Sequence, residues 1–124
     1  MKENYPLSEK IPERLRTPSG LPLTAITLDA VVAGQVRMED LRVSPEVLGM
    51  QARIAEECHR PQLAEGLRRA AELTRVPELF ILDVYRALRP GRADRATLLR
   101  LADELEQRYD APHCAALLRE AAEL

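Results

Sequence analysis

Residues 94–124 read DRATLLRLADELEQRYDAPHCAALLREAAEL. A helix running from about Asp94 puts Leu98, Leu101, Ala102, Leu105 and Tyr109 in register along one side. Pro112 opens a second run, with Ala115, Leu118, Ala121 and Ala122 at helical spacing. Two helices hinged at a proline make a hairpin, and the same grammar extends upstream. Ser44 is a good N-cap with Pro45 at the first helical position, followed by the stripe Val47, Met50, Ile54 and Cys58. His59-Arg60-Pro61 breaks that helix, and the next carries Leu63, Leu67, Ala70, Ala71 and Thr74 on one face. Pro77 starts another, rich in Phe80, Ile81, Val84, Tyr85 and Leu88, and Pro90-Gly91 stops it. The fold class that follows is all-α: a small open helical bundle of hairpins over 45–124.

The two hairpins echo each other. Pro61, Ala64, Leu67, Arg68, Ala70, Ala71, Glu72 and Leu73 recur as Pro112, Ala115, Leu118, Arg119, Ala121, Ala122, Glu123 and Leu124, at a constant offset of 51 (112 − 61). The reading is two similar helix–Pro–helix units joined by the helix after Pro77. Alanine-rich helical sequence also produces such echoes without common origin, and two copies are too few for a solenoid.

Residues 1–44 follow other rules. Pro6, Pro12, Pro18 and Pro22 interrupt helix, and Ser19-Gly20 marks a turn. One short helix is predicted, capped by Thr27, carrying Leu28, Val31 and Val32 and ended by Gly34. The segment holds too many apolar side chains for a disordered tail, Tyr5, Leu7, Leu15, Leu23 and Ile26 among them. It reads as an irregular, proline-rich N-terminal arm that needs a surface to lie on, either its own helical domain or another chain.

Composition narrows the functional classes. The 124 residues fit one small domain, with 46% apolar but only 3% aromatic residues, so Leu and Ala must build the core. Acids outnumber bases by 20 to 18, which gives no electrostatic footprint for nucleic acid or an anionic membrane. No stretch approaches a transmembrane span, and residues 1–10 lack the apolar run of a signal peptide. Two cysteines do not make a disulfide framework, so reduced thiols and a cytoplasmic location are expected.

Candidate chemistry is sparse. Cys58-His59 and His113-Cys114 supply the ligand types of a structural zinc, but adjacent helical residues diverge by about 100° and cannot share a metal. A Cys58–His113 pair across space is conceivable, yet nothing suggests an oxyanion hole, and no glycine-rich phosphate loop is present. Acids such as Glu56-Glu57 and Asp103-Glu104-Glu106 interleave with Arg53, Arg100 and Arg108, as on a solvated helix surface. Arg68, Arg69, Arg75, Arg86, Arg89, Arg92 and Arg95 form a basic stretch that suits ion pairs at a protein interface. Between them, Phe80, Ile81, Val84, Tyr85 and Leu88 cover one broad face, with Leu79 and Leu82 on the other side beside Asp83 and Arg86. A helix apolar on both faces is buried on both. The second face calls for a partner or for the N-terminal arm.

Several strings resemble the small (gamma) subunit of adenosylcobalamin-dependent diol and glycerol dehydratases. They are Tyr5-Pro6-Leu7, Leu23 to Leu28 with Val32 and Gly34, Asp40 to Ser44, and Gln51 to Ala55. The most specific are Arg69 to Thr74 with Val76-Pro77, and Tyr85 to Pro90; Ala102 to Glu106 and Leu118 to Ala122 complete the series. They run in order from Tyr5 to Leu124. The resemblance implies a dimer of heterotrimers of large, medium and small subunits, turning a 1,2-diol or glycerol into an aldehyde plus water. It implies adenosylcobalamin between the large and medium subunits, substrate in the large one, and the small subunit packed on the large one. No catalytic, cofactor-binding or metal-binding residue is therefore expected on this chain. The chain departs from the family at Gly91, often a bulky aromatic, and near Ala93, often a capping Ser, where Asp94 is expected to take over the cap. The sequence reads as far as Leu124 in the family's pattern, and the basic C-terminal tail of some members is not expected. Some members enter a protein-shelled microcompartment through an N-terminal extension. This chain starts just before the matching region, so that route is not expected here. The rival readings are a free-standing helical adaptor and, with the wrong charge for it, a helix-turn-helix DNA binder.

Overall fold

A computed structural model describes residues 1–124. It is all-α, with seven α-helices, short 3₁₀ turns and a single isolated bridge between Arg16 and Pro22. The chain divides into two compact units, Met1–Leu67 and Arg68–Leu124.

The first unit holds the arm and the first hairpin. The arm is more ordered than one short helix: α1 (Leu7–Lys10) precedes α2 (Leu28–Val32), with 3₁₀ turns at Lys2–Asn4, Pro12–Arg14, Leu23–Ala25 and Met38–Leu41. The reason lies in the prolines, which open elements as well as ending them. Pro6 precedes α1, and Pro12 supplies the first residue of its turn. Thr27 caps α2 as expected, its hydroxyl accepting from the Ala30 N–H at 3.1 Å, and Gly34 follows with a left-handed φ of 78°.

The irregular backbone is tied together by Asp40. Its carboxylate accepts from the Arg37 N–H at 2.8 Å, from the Ser19 hydroxyl and from the Thr17 hydroxyl at 3.4 Å. That pins the turn around Gly20 to the 3₁₀ turn at Met38–Leu41. Leu7, Leu15 and Val36 are buried, so part of the arm's apolar content is covered within its own chain.

Helix α3 (Pro45–Glu57) starts at Ser44, whose Oγ accepts from the Val47 N–H, and α4 (Pro61–Leu73) follows the break at His59. The buried residues are Ala52, Ala55 and Ala64, with Leu67 packed on them. The expected stripe Val47, Met50 and Ile54 is only half-buried and Cys58 is exposed. On α4 Leu63 is likewise exposed, as is Thr74 in the turn just past the helix end. Alanines allow close approach of helices, so the small residues form the seam and the larger ones flank it.

The second unit comprises the end of α4 with α5 (Glu78–Ala87), α6 (Arg95–Tyr109) and α7 (Pro112–Ala122). Asp94 takes the cap of α6, accepting from the Thr97 N–H at 2.9 Å. Helices α6 and α7 pack along each other. Leu98, Ala102, Leu105, Ala115, Leu118 and Ala122 lie buried between them, in the register the sequence predicts. Leu105 and Leu118 are the largest fully buried side chains, each contributing about 1.5–3 kcal/mol by removal from water.

The echo has a structural counterpart. His59 and Asp110 occupy equivalent positions of the 51-residue repeat, and both adopt left-handed φ, 61° and 51°. Each stands two residues before the proline that opens the following helix. Ala64 and Ala115, also equivalent, are both fully buried.

Candidate functional site

The densest polar construction is a clamp at the end of α4. Glu72 is buried, and its carboxylate accepts from the His113 N–H at 2.5 and 2.9 Å and from the Cys114 N–H at 3.3 Å. Three residues on, the Arg75 guanidinium donates to the Tyr109 carbonyl at 3.0 Å and to the Asp110 carbonyl at 2.5 Å. The carboxylate therefore meets the N-terminus of α7 and the guanidinium the C-terminus of α6. Each sign matches the helix dipole it faces. Burial raises the Glu72 pKa above the ordinary carboxylate range, and the His113 and Cys114 amides oppose that rise. Sequence reasoning missed this pair, because its one signal is an acid and a base spaced like many surface pairs.

The thiol–imidazole pairs do not assemble. Cys58 is exposed at the end of α3, next to the left-handed His59. Cys114 is buried in α7, its thiol donating to the Arg69 carbonyl at 3.5 Å. Burial first, and the Glu72 charge second, push the Cys114 pKa up to about 11. That thiol is not an activated nucleophile. No group of three or more His, Cys, Asp or Glu side chains is placed to hold a metal ion.

The charged faces follow the surface reading. Arg119 bridges Asp103 at 3.0 Å and Glu106 at 2.7 Å, and Arg95 meets Glu123 at 2.9 Å. In the basic stretch, Arg86 lies 3.7 Å from Asp83, while Arg89 and Arg92 are exposed and form no ion pair.

Concave surface is modest and apolar. In the second unit a cavity of about 120 Å³ is lined by Leu73, Val76, Val84, Tyr85 and Leu117 among others. In the first unit an open groove of about 640 Å³ runs past Tyr5, Ile54, Leu63 and Leu67. Neither histidine lines either one. No helix is long and apolar enough to cross a membrane. What the surface does display is large apolar side chains: Tyr5, Leu28, Val32, Met38 and Leu41 in the first unit, and Leu79, Leu82 and Tyr85 in the second. Isolated exposed apolar residues are ordinary, but grouped ones mark contact surfaces.

The chain matches the family described as "Dehydratase small subunit" over residues 1–124. It belongs to that family. It is 47% identical over 121 residues to the propanediol dehydratase small subunit of Salmonella typhimurium (strain LT2), covering 98% of this chain and 70% of that one. It is 46% identical over 121 residues to the propanediol dehydratase small subunit of Citrobacter freundii, with the same coverage. A dehydratase small subunit has partner subunits in its enzyme, and the exposed large apolar side chains are the feature of this fold suited to meeting them.

Proposed function

We propose that this chain is the small, non-catalytic subunit of an adenosylcobalamin-dependent hydro-lyase that converts propane-1,2-diol or glycerol into an aldehyde and water. The observation that carries the reading is the identity of 47% over 98% of the chain to a propanediol dehydratase small subunit. In this proposal the complex is a dimer of heterotrimers, and the small subunit stabilises it by packing on the large one. The arm, 1–44, lies on that partner, and 45–124 is the bundle that carries it. The working location is the cytoplasm, free or within a microcompartment.

Adenosylcobalamin supplies radical chemistry when bound, and we assign it to the large and medium subunits. The residues of this chain do not fit a corrinoid. The apolar groove of the first unit and the small cavity of the second offer no imidazole, and the two buried carboxylates are engaged within the chain, Glu72 by the His113 and Cys114 amides and Asp40 by the Ser19 hydroxyl and the Arg37 amide. No catalytic, cofactor or metal residue is proposed here.

The test is co-expression with the large and medium subunits, followed by purification through a tag on the large one. The small chain should co-purify, and omitting it should lower the yield of assembled, diol-dehydrating enzyme. The isolated chain, titrated with adenosylcobalamin and followed by visible absorption, should show no binding at micromolar concentrations. Failure to co-purify, or micromolar binding, would overturn the proposal.

A further inference from the structure

The 51-residue repeat leaves one of its two hairpins uncovered. Leu105, Tyr109, Cys114 and Leu118 of α6 and α7 are equivalent to Ile54, Cys58, Leu63 and Leu67 of α3 and α4. In the second unit α5 covers that face. Phe80, Ile81, Val84 and Leu88 pack on the core that holds Leu105, Cys114 and Leu118, and Phe80 meets the Tyr109 ring at 5.3 Å. Leu105, Cys114 and Leu118 are left 2%, 7% and 1% exposed. In the first unit the four equivalent residues line the open groove of about 640 Å³, where Leu63 is 50% exposed and Cys58 is exposed as well. The same offset carries α5 back onto 27–36, the segment that holds α2, yet no residue of α2 lines the groove.

We infer that this groove seats an amphipathic helix of another polypeptide, with an apolar stripe like that of α5 and carboxylates along its edges. The sister hairpin shows what such a face accepts: one helix laid along it, anchored by side chains one turn apart. Only the reading of the partner as a fellow subunit rests on the function proposed above.

Charge narrows the occupant further. Lys2 and Arg60 are the only charged residues lining the groove, and both are exposed. The neighbouring acid, Glu57, is taken up by the Met1 ammonium and the Lys2 N–H. A helix with basic flanks would set cation against cation, whereas acidic flanks would pair with Lys2 and Arg60. Helix α5 itself has that form. At 100° per residue, Phe80, Val84, Leu88 and Ile81 span an arc of about 100°, and Asp83 and Glu78 stand about 60° beyond its two edges.

The first experiment uses the full chain and, as probe, a fluorescent peptide of residues 77–90 held helical by an i to i+4 hydrocarbon bridge on the face away from Phe80. Fluorescence anisotropy should show saturable binding at or below about 100 μM, an affinity modest for one short helix. Leu63→Glu in the chain, at an exposed position, should weaken it at least tenfold at unchanged circular dichroism. Arg60→Glu in the chain, or Glu78→Lys with Asp83→Lys in the peptide, should weaken it at least threefold at low salt and less at high salt. No saturable binding, or binding that Leu63→Glu leaves untouched, overturns the inference. The second experiment places a photoreactive phenylalanine at position 63 of the chain co-expressed with the large and medium subunits. The cross-linked peptide should come from one helix of a partner subunit, with apolar residues at i and i+3 or i+4 and Asp or Glu beside them. A cross-link to a strand or loop, to α2 of the same chain or to a second copy overturns the inference, as does an assembled enzyme with no cross-link. If the chain is retained by neither subunit, the functional reading fails, and the peptide titration still decides the groove.

Discussion

Glu72 and Asp40 are both buried carboxylates, and they respond to pH in opposite senses. Burial raises the pKa of Glu72, so the native state holds its proton more tightly than the unfolded chain. Its contribution is full at acid pH, below the unfolded carboxylate range, and is lost as pH rises through the folded value. Glu72→Gln should keep an acceptor for the α7 amides without the ionised charge. It should be as stable as the wild type at pH 7, or more so, and flatten this part of the pH profile. Glu72→Ala leaves the His113 and Cys114 amides without their acceptor and should cost about 1–3 kcal/mol. For Asp40, the Ser19 hydroxyl and then the Arg37 amide lower the pKa. Its contribution is present above the unfolded value and is lost as pH falls through the folded one. Asp40→Asn should therefore destabilise the protein at neutral pH, by a margin that closes in acid. Urea unfolding at pH 4, 5.5 and 7 checks all three variants. The thiols give a second contrast: a thiol reagent at pH 7 should label exposed Cys58 and spare Cys114 until the protein is unfolded, as peptide mass mapping would show.

Among the elements, α6 and α7 hold the best-packed seam. Leu118→Ala should cost about 2–5 kcal/mol in chemical unfolding, because the side chain is 1% exposed and its neighbours cannot close the gap. Leu117→Ala, one residue earlier and 37% exposed, should cost less than about 1 kcal/mol. This seam was legible in the sequence, since leucines at helical spacing announce the side they bury. The α3–α4 seam was not. There Ala52, Ala55 and Ala64 are buried while Val47, Met50 and Ile54 stand half-out, and periodicity weights the larger side chains. The α4 clamp was equally hidden, because nothing local marks Glu72 as an inward-facing acid. Helix α5 was half legible: its two apolar faces were plain, but not that Leu79, Leu82 and Tyr85 would stay exposed in the folded chain.

For the molecule as a whole, the arm is the part whose sequence was hardest to place. Its prolines announced irregularity, but not that Leu7, Leu15 and Val36 would find cover within the chain while Tyr5, Leu28, Val32 and Met38 would not. That partition depends on contacts distant in sequence, such as the Met1 ammonium against Glu57 at 2.9 Å. Deleting residues 1–24 should leave the helices of the second unit intact by circular dichroism and weaken assembly with the large subunit in a pull-down. Unfolded helices with assembly spared would place the arm in this chain's own core instead. The clamp bears on time as well as on energy. Glu72 and Arg75 reach residues 34 to 42 positions away, so the turn between α6 and α7 must close before they can engage it. Contacts that form after the rate-limiting barrier slow escape from the native state without hastening arrival. Alanine at either position should therefore steepen the rate of unfolding and leave refolding nearly untouched, an asymmetry that stopped-flow measurement of both limbs would read directly.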